Sequence, residues 1–177
     1  EYLKGNILVP LDDFIDRDAQ EVQWNDVMRC GADLGTWEGK VYGVPSNIQI
    51  WMMYCRQDLF EEAGLEYPET WEELYTVGKK LTRPENDQYG FVIQTARASN
   101  SAVHTFWAVM TGFGGYRATF KDWPRDYTPT LDGPIPLETL KFYEKFFEMG
   151  PPGMNSYAWA DAISFYANGK AAMYPLY

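Results

Sequence analysis

Residues 39–55 read GKVYGVPSNIQIWMMYC and hold two extended runs on either side of the tripeptide GVP at 43–45. The β-branched and aromatic residues of each run predict a strand, while glycine and proline predict a break between the strands. Asn47 and Gln49 come just after the break, among bulky apolar residues. Because side chains alternate along a strand, these two amides are expected to share a face with Trp51.

The composition is that of a globular protein, with 177 residues, 46% of them hydrophobic and 23% charged. The formal net charge is −10 and no basic stripe is visible, which argues against nucleic acids and anionic membrane surfaces as partners. No apolar run reaches the length of roughly 18 residues that a membrane span needs. Residues 1–10 show neither a Met nor a signal-peptide pattern, so we expect that an upstream part has been removed or left out.

Aromatic residues are unusually abundant at 17%, with 7 Trp, 13 Tyr and 10 Phe. A core uses only some of these rings, and we expect the rest to line a cleft. Flat rings with a few polar tips suit sugars and polyols, whose C–H faces stack on rings while their hydroxyl groups need hydrogen-bond partners.

Helices alternate with short strands along the rest of the chain. The clearest helix follows Thr70, which forms a capping box with Glu73 ahead of an apolar stripe at helical spacing. The other predicted elements are helices from Asp58 to Gly64 and from Pro136 to Gly150, a buried strand at 89–93, a helix capped by Asn100 or Ser101, a loop or small hairpin at 116–135, a helix at 159–169 and an extended end after it. This order predicts an α/β layout.

Residues that would support catalysis are sparse. His104 is the only histidine, and the chain has no HExxH pattern and no cysteine–histidine cluster. The sequence therefore predicts no metal site and no cofactor. Adjacent carboxylates point about 100° apart on a helix and predict solvated faces. A glycosidase pair formed by distant residues such as Asp132 and Asp161 stays open.

Two features carry both a structural and a functional interpretation. His104 lies in an apolar helix and is either a partly buried or surface histidine or a ligand contact. Tyr157, Trp159 and Asp161 follow the turn GPPGMNS at the start of a helix. They are either a core ring with an acid that the helix dipole favours, or a ring presented at the edge of a cleft. The residues alone leave both interpretations open.

Eight phrases occur along the chain in one order: PLDDFI, GKVYGVP, MYCRQDLFEEAGL, PETWEELYTVGKKLT, YGF, GFGG, ETLKFYEKF and FYANGKAAM. Together they resemble the extracellular solute-binding proteins of ABC transporters, in the family 1 carbohydrate-binding group that includes maltose-binding protein. The resemblance implies an α/β, periplasmic-binding-protein-like (type II) fold with two lobes. It implies that residues 1–44 are the tail of the N-terminal lobe and the first hinge crossing, 45–169 the C-terminal lobe, and 170–177 the truncated return crossing.

The same resemblance implies which residues touch the ligand. They are Asn47, Gln49 and Trp51 at the first crossing, His104 and Trp107 in the central helix, and Tyr157 and Trp159 at the last helix. His104 takes the place of a ring that faces the sugar in maltose-binding protein, which implies a hydrogen-bond donor or a stacking partner rather than a base.

The implied function is that of a substrate-binding component of an ABC importer rather than an enzyme. The protein would hold a sugar, an oligosaccharide or a sugar alcohol in an aromatic-lined cleft that closes about a hinge, in the periplasm or on the cell surface. Its partners would be that ligand and the transporter permease, with no nucleic acid and no membrane contact beyond the permease or a lipid anchor. The alternative is a carbohydrate-active hydrolase with the same cleft and a carboxylate pair, which would cleave the sugar.

Overall fold

The computed structural model describes residues 3, 5, 7–47, 49–97, 101–114, 120–122 and 126–177. It divides the chain into two compact units, Glu1–Ile50 and Trp51–Tyr177. The predicted lobe boundaries at residues 44 and 169 stay a prediction.

The first unit is built from short helices and one hairpin. In chain order its elements are α1 (Asp12–Arg17), α2 (Ala19–Val22), a 3₁₀ turn (Trp24–Asp26), α3 (Arg29–Leu34), β1 (Thr36–Trp37) and β2 (Lys40–Val41). Glu38 and Gly39 connect the two strands, and both have positive φ, 49° and 77°. Two consecutive positive φ values are the signature of the tight turn that matches the twist of a hairpin.

The second unit holds the larger set of elements. In chain order they are β3 (Met52–Cys55), α4 (Gln57–Ala63), α5 (Trp71–Leu81), a 3₁₀ turn (Pro84–Asn86), β4 (Tyr89–Phe91), α6 (Ser101–Gly112), β5 (Phe120–Asp122), β6 (Asp126–Pro129), α7 (Pro134–Glu144), 3₁₀ turns (Lys145–Glu148 and Met154–Ser156), α8 (Trp159–Ala167) and β7 (Ala171–Leu176).

A three-stranded sheet in the order β3-β7-β4 organises the second unit. β7 runs antiparallel to β3, with Met52 opposite Leu176, and parallel to β4, with Phe91 opposite Met173. Residues 171–175 of the central strand are all buried. Helices between the strands therefore cover a mixed sheet, which confirms the predicted α/β class.

The strand that the sequence predicts just after the GVP break is shorter in the structure. β3 begins at Met52, and among residues 46, 47 and 49–51 the structure shows no strand. The ladder explains this difference, because β7 ends at Leu176, directly opposite Met52. Without a partner strand, the extended propensity of these residues is not enough to form a sheet.

Backbones approach closely where α5 crosses β4. A Cβ atom added to Gly90 would lie 1.9 Å from the carbonyl oxygen of Gly78. The amide of Gly90 also donates to the Thr82 hydroxyl at 3.0 Å, just beyond the helix end. Only glycine at position 90 allows this distance between helix and strand, so the close approach of β4 to α5 depends on Gly90.

Several predicted element ends are confirmed and others differ. Gly64 ends α4 with φ 62°, as predicted, but the residue that precedes the helix is Arg56 rather than Asp58. The Asp58 carboxylate instead accepts a hydrogen bond from Arg56 Nε at 2.8 Å. α7 begins at Pro134 rather than Pro136, since a proline at the first helical position loses no hydrogen bond.

The region 116–135, for which the sequence predicts a loop or a small hairpin, contains the hairpin of β5 and β6, which pair antiparallel. The residues that connect these two strands lie outside the described part of the chain. The predicted cap at Asn100 or Ser101 also falls on side chains that the structure does not describe.

The predicted capping box at the start of α5 is confirmed. The Thr70 hydroxyl accepts a hydrogen bond from the Glu73 amide at 3.2 Å, and the Glu73 carboxylate accepts from the Thr70 amide at 3.3 Å. We expect Thr70→Ala to lower the free energy of unfolding by about 1 kcal/mol, because it leaves an amide of the first turn without its partner. Urea denaturation measures the change.

Thr76→Ala is the matched control for this prediction. The Thr76 hydroxyl is exposed, and among the described contacts its one hydrogen bond is to the carbonyl of Glu72 in its own helix, at 2.9 Å. Its removal is expected to leave stability within about 0.5 kcal/mol of wild type. Equal losses in the two variants would contradict a capping role for Thr70.

Candidate functional site

Two aromatic residues meet where β3 begins and β7 ends. Trp51 directly precedes β3 and Tyr177 directly follows β7, next to the paired residues Met52 and Leu176. Their ring centroids are 5.2 Å apart and the ring planes are 89° apart, an edge-to-face contact. The antiparallel register of the two strands therefore positions both rings.

α6 contributes a third ring to this edge. His104 Nδ1 lies 3.0 Å from the Tyr177 hydroxyl, and the two ring centroids are 6.4 Å apart. His104 is exposed, while Trp51 and Tyr177 are half-buried. We call these three residues the ring cluster. It presents apolar ring faces beside an imidazole and a phenol, which can each donate or accept a hydrogen bond.

The ring cluster lies at the edge of the sheet where the parallel strands β4 and β7 end. β4 and β7 are parallel, so their carboxyl ends meet at the same edge. Tyr177 marks that end of β7, and residues 92–96 leave β4 there. Ligands of open α/β sheets bind outside the carboxyl ends of the strands. The arrangement is therefore suited to hold a small polar molecule.

A groove of about 610 Å³ opens beside Trp51. Its size falls in the usual range of small-molecule pockets, about 300–1,000 Å³. The walls are largely apolar, and Glu69 and Glu72 add carboxylates. Among its lining residues are Trp51, Met52, Trp71, Leu74, Gly112 and Pro175. Trp51 thus contributes both to the ring cluster and to this groove.

Asn47 and Gln49 belong to the first unit and are exposed. They line a hollow of about 510 Å³ together with Gly35, Gly43 and Pro45. The face that they are expected to share with Trp51, and their role as ligand contacts, stay predictions.

The structure does not bring the remaining predicted residues into the ring cluster. The Tyr157 ring packs on Phe165 at 5.9 Å, and burial raises the pKa of its hydroxyl, with a further rise from the nearby Asp161 charge. Trp159 opens α8 with 50% of its surface exposed, and Trp107 is half-buried in α6. Ligand contact by these three residues stays a prediction.

Asp161, one member of the carboxylate pair considered above, has a structural partner. Its carboxylate accepts a hydrogen bond from the Ala158 amide at 2.8 Å, at the start of α8. This contact fits the structural interpretation of an acid at a helix N-terminus.

Sequence reasoning missed Tyr177. The residue follows an apolar run and carries no motif, so only its place beside Trp51 marks it. It also missed a polar network behind the ring cluster, in which the buried Thr105 hydroxyl lies 2.6 Å from the Tyr143 hydroxyl and donates to the Gln94 carbonyl at 3.1 Å. Buried threonine and glutamine could have raised the question, because buried polar groups need partners.

Within the described ranges, no group of three His, Cys, Asp or Glu side chains is arranged to hold a metal ion. The helices of the described residues are also too short or too polar for any of them to cross a membrane.

Tyr174 is a buried residue of β7, close to this edge of the sheet. It is 1% exposed, and its hydroxyl lies 3.4 Å from Gln94 Oε1. Burial, with a smaller contribution from Tyr177, raises the pKa of Tyr174 from 10.0 to about 12. The folded protein therefore holds this proton more tightly than the unfolded chain does, and stability falls as the pH rises between these two values.

We expect Tyr174→Phe to flatten this alkaline loss of stability. Wild type and variant are compared by urea denaturation at a series of pH values between about 8 and 12, on either side of the tyrosine pKa. Parallel stability curves for the two proteins would show that Tyr174 does not carry the effect.

Comparisons with known proteins bear on this site. The family model "Bacterial extracellular solute-binding protein" matches residues 1–177. A mannitol-binding protein of Pseudomonas aeruginosa is 26% identical over 140 residues, which are 77% of this chain and 31% of that protein. The chain thus spans about a third of the length of this curated relative.

Solved structures of solute-binding proteins share the fold, and two of them are similar to this chain in sequence as well. A solute-binding protein of an ABC transporter from Agrobacterium radiobacter, in complex with ribitol, is 30% identical with a TM-score of 0.83 and matches 98% of this chain and 43% of its own. One from Agrobacterium vitis, with bound D-mannitol, is 26% identical with a TM-score of 0.81 and matches 99% of this chain and 41% of its own.

Proposed function

The chain belongs to the family of bacterial extracellular solute-binding proteins, and on this premise we propose that it forms part of the substrate-binding component of an ABC importer for a sugar alcohol or a small sugar. The observation that carries the proposal is the ring cluster of Trp51, His104 and Tyr177 at the carboxyl edge of the sheet.

The chemistry of the ring cluster supports a polyol-like ligand. Ring faces of Trp51 and Tyr177 favour the C–H face of a carbon chain or sugar ring. The His104 imidazole and the Tyr177 phenol supply polar atoms for hydroxyl groups, which also donate and accept. The ligands named for the similar proteins, ribitol and mannitol, have the same mixed chemistry.

The binding event would act through a conformational equilibrium. A ligand that touches both lobes only in a closed arrangement shifts the population toward that arrangement. A transporter permease that recognises the closed form would then receive loaded protein. This function places the protein outside the cytoplasm, in the periplasm or held at the cell surface by a lipid anchor.

The proposal includes no chemical step. The ring cluster offers stacking and hydrogen bonds, and Asp161 already accepts a backbone hydrogen bond in α8. We expect the bound sugar or polyol to be released unchanged, which chromatography of the ligand after incubation would test.

A calorimetric titration of the full-length protein tests the proposal. Ribitol, mannitol, sorbitol, glucose and maltose are each titrated, and thermal unfolding is followed with each compound in excess. A ligand at about 100 times its Kd should add about 2.7 kcal/mol of stability. Binding of at least one polyol or small sugar is expected, and no heat and no thermal shift with any of them would overturn the proposal.

A further inference from the structure

We propose that Thr105 is a positioning residue that orients His104 in the ring cluster through a buried hydrogen-bond chain. The inference rests on the proposed function, since it concerns the same ligand site. This hydrogen-bond chain consists of the Thr105 side chain of α6, the Tyr143 side chain of α7 and the backbone carbonyl of Gln94, which lies in the segment after β4.

The residues of this hydrogen-bond chain are almost fully buried. Thr105 and Gln94 are each 2% exposed and Tyr143 is 8% exposed. Thr105 Oγ1 lies 2.6 Å from the Tyr143 hydroxyl, 3.1 Å from the Gln94 carbonyl oxygen and 3.1 Å from the Ala102 carbonyl oxygen. A buried polar chain of this kind holds its elements in one arrangement, because each lost partner leaves a desolvated group behind.

The Thr105 hydroxyl is the meeting point of this hydrogen-bond chain. The carbonyl oxygens of Gln94 and Ala102 can only accept a hydrogen bond, whereas in the 2.6 Å contact with Tyr143 either hydroxyl can be the donor. Thr105 thus links α6 both to the segment after β4 and to α7.

Helical geometry connects this chain to the ligand site. Neighbouring residues of a helix point about 100° apart. With Thr105 held against the segment after β4 and against α7, the preceding side chain, His104, is directed to the exposed face, where it meets Tyr177 at 3.0 Å. A rotation or shift of α6 would release both contacts together.

The test compares four variants of the full-length protein. Thr105→Val removes the hydroxyl with little change of shape, and Thr105→Ser keeps it. Tyr143→Phe removes only the phenol hydroxyl that meets Thr105 Oγ1. Thr139→Val is the matched control, because Thr139 is 0% exposed and its hydroxyl bonds only to the Ile135 carbonyl of its own helix among the described contacts.

Two measurements are made on each variant. Calorimetry gives the Kd for mannitol and for ribitol, and NMR follows the ¹³Cε1–¹Hε1 signal of His104, assigned with a His104→Gln variant. We expect Thr105→Val to weaken binding about tenfold, the effect of one lost hydrogen bond, and to move the His104 signal. Thr105→Ser should restore both values, Tyr143→Phe should give a smaller change, and Thr139→Val should change neither.

The outcomes separate this inference from the proposed function. An unchanged His104 signal in Thr105→Val overturns the inference, whether or not wild type binds a polyol. An equal change in Thr139→Val overturns it as well, since any buried threonine would then serve. A wild-type protein that binds no polyol or sugar overturns the proposed function, and the His104 signal still tests whether Thr105 orients the ring. Should Thr105→Val fail to fold, an unchanged signal in Tyr143→Phe overturns the inference.

Discussion

Trp51→Ala is expected to weaken the binding of mannitol or ribitol by roughly 30- to 150-fold. An aromatic side chain that is buried against a ligand contributes about 2–3 kcal/mol through the area it covers and the contact of its face, and each 1.4 kcal/mol is about tenfold in affinity. Trp51 belongs to the ring cluster and also lines the groove of about 610 Å³, so its loss opens the site on two sides.

Calorimetric titration of the full-length protein measures this effect, with two further variants for comparison. Trp51→Phe keeps an aromatic face and should lose far less affinity. Trp37→Ala removes an indole that is 49% exposed in the hairpin of the first unit, and it should bind like wild type. Thermal unfolding without ligand shows whether Trp51→Ala is folded. A folded Trp51→Ala variant that binds within threefold of wild type would place Trp51 outside the site.

Phe146→Ala is expected to have the largest effect on stability, a loss of about 3–5 kcal/mol in the free energy of unfolding. Phe146 is 0% exposed, and its ring centroid lies 4.7 Å from that of Phe91, 5.4 Å from that of Tyr143 and 5.8 Å from that of Trp71. Truncation would leave a cavity at the point where α5, β4 and α7 meet, because the neighbouring rings are held by their own helices and strand and cannot move in to fill it.

The adjacent residue provides a control of the same type. Phe147 is 41% exposed and has one ring contact among those described, with Tyr143 at 6.4 Å. Phe147→Ala should cost less than about 1 kcal/mol. Urea denaturation of both variants measures the difference. Similar losses at the two positions would show that the core is not centred on Phe146.

Local features of the fold could be predicted from the sequence because their hydrogen bonds join near neighbours. The capping box joins Thr70 and Glu73, which are three positions apart, and the left-handed end of α4 at Gly64 needs only a residue without Cβ. The buried strand within 89–93 followed from its run of aromatic and β-branched residues. The family could also be recognised, because eight phrases in the same order are together far more specific than any one phrase alone.

Predictions were wrong where two local choices have nearly equal energies. Pro134 and Pro136 both suit the first turn of a helix, and Gly133 with extended backbone lets α7 begin at the earlier proline. Asp58 is a good capping residue, but its carboxylate instead pairs with the guanidinium of Arg56.

The sequence by itself determined the class of the protein, the positions of its main helices and one histidine worth testing. Only the tertiary structure decided which rings meet. Trp51 and Tyr177 lie 126 positions apart in the chain, and the antiparallel register of β3 and β7 brings them to 5.2 Å. The chain from Thr105 to Tyr143 likewise depends on how α6 packs on α7. Such contacts are set by the packing of whole elements, and no short stretch of sequence encodes the distance between two of them.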